Sequence, residues 1–98
     1  MKIMAMTRRV EGATFDDIQK LQIPEVTKVW QGIADGTIRE IYFDPEKPCV
    51  VVILEMESRD AAKAFMAELP MVKAGLIDFD YTVLGPYTQL AHLFSEQG

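Results

Sequence analysis

The chain has 98 residues, enough for one small domain spanning 1–98 and too few for two ordinary cores. Its formal charge of -5 repels nucleic-acid phosphates and anionic membrane surfaces, so neither is an expected partner. One cysteine excludes an internal disulfide, and no apolar run reaches the ~18–20 residues of a membrane span.

A reducing, cytoplasmic setting fits that cysteine count. The opening residues lack the long apolar core and small-residue cleavage site of a signal peptide, and read as a strand. Hydrophobic residues make up 49% of the chain. A body this small has limited interior to absorb them, so a protein interface is expected.

The first strand is predicted over residues 2–9, with both faces largely apolar near its start. Glu11, Gly12 and Ala13 form a turn. Thr14 is a good helix N-cap, with Asp16 and Asp17 near the positive helix end. The helix that follows carries Ile18, Leu21, Val26, Val29, Trp30 and Ile33 on about half its circumference. Pro24 predicts a kink or break near residues 22–23, and Gly36 a C-cap. A second strand over 37–43 joins the next strand through a turn fixed by Pro45 and Pro48, which makes an antiparallel hairpin.

Cys49, Val50, Val51, Val52, Ile53 and Leu54 form the central strand. A strand with one wet face alternates apolar and polar residues, and this one does not. It reads as covered on both sides. Ser58 caps a second helix whose buried stripe is Ala61, Ala62, Phe65 and Leu69, and Pro70 ends it. Residues 71–75 are a connector, 76–84 a last strand, and 88–96 a short C-terminal helix carrying Leu90, Leu93 and Phe94.

The order strand, helix, strand, strand, helix, strand, with right-handed crossovers, defines an α+β fold: a ferredoxin-like βαββαβ unit with a four-stranded antiparallel sheet. Both helices cover one face of that sheet. The other face is oily and bare, and a second sheet about 10 Å away is the physical remedy. A two-fold homodimer supplies one most simply.

Ser58, Arg59, Asp60 and Ala61, then Leu69, Pro70 and Met71, then the run Ile77 to Pro86 lie in close succession. With Trp30, the segment Ile38, Arg39, Glu40 and the central strand, they resemble the muconolactone isomerase-like family of the dimeric α+β barrel superfamily. The resemblance spans most of the chain. It implies sheets packed face to face in a homodimer, with further pairing into a higher oligomer as an extension, and a proton-shift isomerisation of a small lactone or cyclic anionic metabolite. The N-terminal region and the residues after Pro86 depart from the pattern expected of a true muconolactone isomerase.

Candidates for chemistry are few. His92 is the only histidine, the side-chain type most used for proton transfer, although a lone histidine in a terminal segment is more often a surface or packing residue. Arg39 is a candidate to hold a substrate carboxylate, or to pair with Glu55 across the hairpin. Tyr42 is a candidate stabiliser of a developing oxyanion, facing opposite to Arg39. Arg8, near the end of the first strand, and Trp30, on the helical stripe, are candidate ligand contacts. The ordinary alternatives are a solvated strand end for Arg8 and a core anchor for Trp30. Asp78 and Asp80 share a face of the last strand and read as a polar surface. Cys49 has no neighbour that would activate a thiol.

No glycine-rich phosphate loop, zinc spacing or Ser/His/Asp signature is present, so no metal or other cofactor is expected. The expected protein is an isomerase-like homodimer acting on a small apolar or anionic molecule. The alternative is a non-catalytic binding or assembly module.

Overall fold

The computed structural model describes residues 1–94, so residues 95–96 of the expected C-terminal helix lie outside it. Four strands form one sheet: β1 (Lys2–Arg9), β2 (Ile38–Asp44), β3 (Cys49–Glu55) and β4 (Ile77–Leu84). Their order across the sheet is β2-β3-β1-β4, and every neighbouring pair is antiparallel. Each crossover therefore skips one strand, which is the ferredoxin-like arrangement. The central pair runs Ile3 opposite Leu54 and Ala5 opposite Val52.

These residues face the helices. Ile3, Ala5, Val52 and Leu54 are buried, together with Ile38 and Phe79 from the edge strands and Ala62, Met66 and Leu69 from the helical layer. Each large side chain so buried contributes about 1.5–3 kcal/mol of transfer free energy. On the other face, Met4, Val51 and Ile53 are half-buried in the single chain, and Met6 and Tyr42 are exposed. The central strand is thus closed over by helices on one side only.

The first helical region is two helices, α1 (Phe15–Lys20) and α2 (Gln22–Ala34). Thr14 caps α1 by accepting the Asp17 N–H at 3.2 Å. The break falls at Leu21, just before the expected 22–23. Pro24 then sits in the first turn of α2, where a missing N–H costs nothing. After α2, Gly36 takes φ +87°, the left-handed conformation that ends helices.

Two expectations about the helices need correction. Trp30 is not a core anchor: it is 65% exposed on the outward side of α2, with Val26 and Ile33 beside it. The face of α2 that is buried carries Glu25 and Gly32, with Val29 packed against the core between them. Pro70 does not simply end a helix. It follows α3 (Arg59–Met66) by a few residues and occupies the first turn of a short helix, α4 (Pro70–Lys73), inside the segment expected to be a connector. The expected short C-terminal helix is present after β4 as a 3-10 helix (Thr88–Phe94), and none of its residues is buried.

Gly32 sets the distance between α2 and the sheet. A Cβ built there would lie 2.8 Å from Ile38 Cδ1 and 3.0 Å from Phe65 Cζ. Alanine would gain about 1 kcal/mol of helix propensity, against an overpacking cost of ~1–3 kcal/mol. Valine adds two further carbons to the same space and lacks alanine's propensity. We expect Gly32→Val to lower the unfolding free energy by about 2–3 kcal/mol, measured by urea denaturation.

Candidate functional site

The β1–β3 ladder stops at Met6 opposite Val51. Beyond it the two strands part, and the Thr7 hydroxyl satisfies the freed β3 backbone. It accepts the Val50 N–H and donates to the Val50 carbonyl at 3.1 Å. A cleft opens at this end, between the sheet and α1–α2.

The inner chamber has a volume of about 360 Å³, and its walls include Val29, Ile38, Val52, Met66, Leu69 and Phe79. An outer chamber of about 680 Å³ is lined by Met6, Arg8, Phe15, Lys47 and Leu76 among others. Both chambers touch Thr7, Ile18, Pro48, Cys49 and Ile77, so they form one trough. Packed interiors hold few voids larger than a water molecule. The inner chamber is an order of magnitude larger and falls in the ~300–1,000 Å³ range of small-molecule sites.

One acidic side chain enters the inner chamber. Glu25 lies on the buried face of α2 and is only 8% exposed. Its Oε1 accepts the Met71 N–H at 2.9 Å. Leu69, the N-cap of α4, has no side-chain oxygen to offer, so a carboxylate from α2 does the capping instead. Burial pushes the Glu25 carboxyl above the ordinary value of 4.5, and the Met71 hydrogen bond draws it part of the way back. An acid in an apolar cavity with a raised pKa is suited to give and take a proton. The Gln22 side chain, also on the wall, is the nearest neutral amide donor.

The residues singled out from sequence are scattered in the single chain. Arg8 lines the outer chamber. Its Nε donates to Asp80 at 3.0 Å and its Nη2 to Asp78 at 2.7 Å, so the two aspartates form a polar surface around a shared cation. Arg39 is exposed and donates from Nε to the Gly36 carbonyl. Its charge helps hold Glu55 below the usual carboxylate range, although the N-terminal ammonium is the direct partner of Glu55 and the larger cause. Tyr42 is exposed on the open face and donates to Glu40 at 2.6 Å, which raises its pKa.

Arg39 and Tyr42 thus belong to edge strand β2, whereas His92 lies beyond the opposite edge, exposed in the 3-10 helix after β4. Trp30 faces away from the cleft. Cys49 is half-buried where the two chambers meet. Among the described residues, no group of three or more His, Cys, Asp or Glu side chains is arranged to hold a metal ion. No helix there is long and apolar enough to cross a membrane.

Glu25 escaped the sequence reading because a lone glutamate in a helix ordinarily faces water. The signal was present in its spacing. Glu25, Val29 and Gly32 lie at i, i+4 and i+7, so a glycine tight against the sheet carries the glutamate inward with it.

The fold and cleft define the chain as a ferredoxin-like α+β protein with a preformed apolar cavity. No protein-family model matches it, and no curated protein does. Among solved structures, the crystal structure of protein Atu4242 from Agrobacterium tumefaciens aligns with a TM-score of 0.47 and 19% identity. That alignment covers 88% of this chain and 93% of the other. A likeness that remote says nothing about activity.

Proposed function

We propose that the protein is a homodimer whose cleft binds a small, largely apolar molecule, and that Glu25 moves a proton on it. The observation that carries this reading is the position of Glu25: a carboxyl raised by burial, inside an apolar space of ligand size. A proton shift needs a base beside an acidic carbon and a donor for the oxygen that gains charge. Glu25 serves as base and, once protonated, returns the proton at a second carbon. The Gln22 amide is the donor. The resemblance to muconolactone isomerase-like proteins favours an unsaturated lactone as the ring that rearranges. The homodimer follows from the oily, uncovered face of the sheet.

A second reading has one specific observation behind it. Glu25 Oε1 already caps α4, which is what a structural acid does. On that reading the cleft binds without converting.

Glu25→Gln separates the two, because glutamine keeps the acceptor for Met71 and loses the base. With a butenolide in deuterated buffer, we expect the wild type to exchange the ring proton beside the carbonyl. The variant should be slower by about 10²–10⁴-fold at similar affinity. Equal exchange in both proteins would remove Glu25 from the chemistry, and binding without exchange would favour the second reading.

The same variant has a stability signature. A carboxyl with a raised folded-state pKa stabilises fully below its unfolded value of 4.5, and that contribution is lost as pH rises through the folded value. Glu25→Gln should therefore flatten the decline in stability that the wild type shows above pH 4.5.

A further inference from the structure

The two ends of the trough differ in charge. Among the described residues, Glu25 is the one carboxyl on the wall of the inner chamber, and no lysine or arginine lines it. Among the described residues, the outer chamber has no acidic side chain on its wall and two cations, Arg8 and Lys47. Arg8 already faces two carboxylates, Asp78 and Asp80, so it adds no net positive charge. Lys47 has no ion-pair partner among the described residues. It sits in the β2–β3 turn between Glu46 and Pro48, and that turn is held by Asp44 Oδ1 accepting the Glu46 N–H at 2.9 Å. Asp44 and Glu46 do not line the chamber. A chain of net charge -5 thus places, among its described residues, one cation without an ion-pair partner at the mouth of its apolar cavity.

We propose that the trough selects an amphipathic monocarboxylate, with its apolar body in the inner chamber and its carboxylate at Lys47. This deepens the cleft reading and rests on it. The orientation follows from charge. A ligand carboxylate placed inward would meet Glu25 and lose its hydration with no cation to replace it. Placed outward, it keeps part of its water and gains Lys47. The apolar body gives up contact with water along the aliphatic and aromatic walls. Specificity for a charged head over a neutral one therefore resides in Lys47, while depth of entry resides in the chamber beneath α2.

The test compares decanoate with decan-1-ol, both below their aggregation limits, by calorimetric titration at low ionic strength. We expect decanoate to bind the wild type at least ~10-fold more tightly than the alcohol, with the preference shrinking as salt is added. Lys47→Glu should weaken decanoate by ~10-fold or more and leave decanol unchanged. The alcohol thereby reports that the cleft is still formed. Equal binding of acid and alcohol to the wild type, or undiminished decanoate binding by Lys47→Glu, overturns this inference and leaves the cleft reading standing. Binding of neither probe overturns both.

Discussion

Leu54→Ala is expected to remove about 3–4 kcal/mol from the unfolding free energy. Leu54 is fully buried, and both strands that flank β3 pack on it: Ile3 stands opposite on β1 and Ile38 on β2. Both partners are themselves held by backbone ladders, so the site has little freedom to collapse around a missing isobutyl group. The cost then combines lost transfer energy with a cavity that persists. A domain of this size has roughly 5–15 kcal/mol in total, at ~0.05–0.15 kcal/mol per residue. The substitution therefore consumes a large share, and the melting temperature should fall by about 12–32 °C at ~4–8 °C per kcal/mol. Urea denaturation read by circular dichroism measures it, with exposed Lys63→Ala as a control expected within ~0.5 kcal/mol of wild type. A loss below about 1 kcal/mol would mean that the centre of the sheet is not where the side chains meet.

Val51→Asp is expected to convert a dimer into folded monomers. Val51 is half-buried on the open face, opposite Met6 on β1 and Tyr42 on β2, with Ile53 two residues along. In one chain its replacement costs little, because water already reaches that face. In a face-to-face pair, each copy would bring an unpaired carboxylate into an apolar seam, at several kcal/mol per charge. The dissociation constant should rise by at least ~10²-fold, from one tight enough to hold dimers at micromolar concentration. Sedimentation velocity of both proteins decides it. A wild type that sediments as a single subunit at micromolar concentration would end the homodimer reading, and a variant that still pairs would move the seam elsewhere.

The strand–helix order was legible because each strand announces itself by β-branched residues and each break by a turn residue. The hairpin is the clearest case: Pro45 and Pro48 confine the turn to the few residues between Asp44 and Cys49, and antiparallel pairing is then forced. Side-chain placement on α2 was less legible. Its apolar positions span about half a turn, but a two-layer body covers only part of such a stripe. Val29 is taken inward while Val26 and Trp30 are left in water. Which edge of the stripe wins is decided by Gly32, whose missing side chain lets that edge approach Ile38 most closely.

The same competition hid the site. Composition draws the eye to histidine, arginine and tyrosine, yet His92, Arg39 and Tyr42 lie on exposed elements at opposite edges of the sheet. Arg8 alone of the five candidates was placed beside the cleft. Helix α4 was missed for a related reason. Proline breaks a helix that precedes it but begins one readily, and the acid that stabilises that beginning is remote in sequence.

One irregularity in β2 bears on how the molecule behaves in a crowded solution. Between Ile38 and Glu40 the pairing with β3 slips by a residue, and Arg39 falls in the slip with its guanidinium tied back to Gly36. An outermost strand bearing Tyr42 and Phe43 in water is otherwise an open template on which further chains stack. A kink with a cation at its apex spoils that template at one end. Straightened, the strand would invite ribbons that lengthen without limit. The bend therefore helps keep assembly finite, which a face-to-face pairing alone does nothing to ensure.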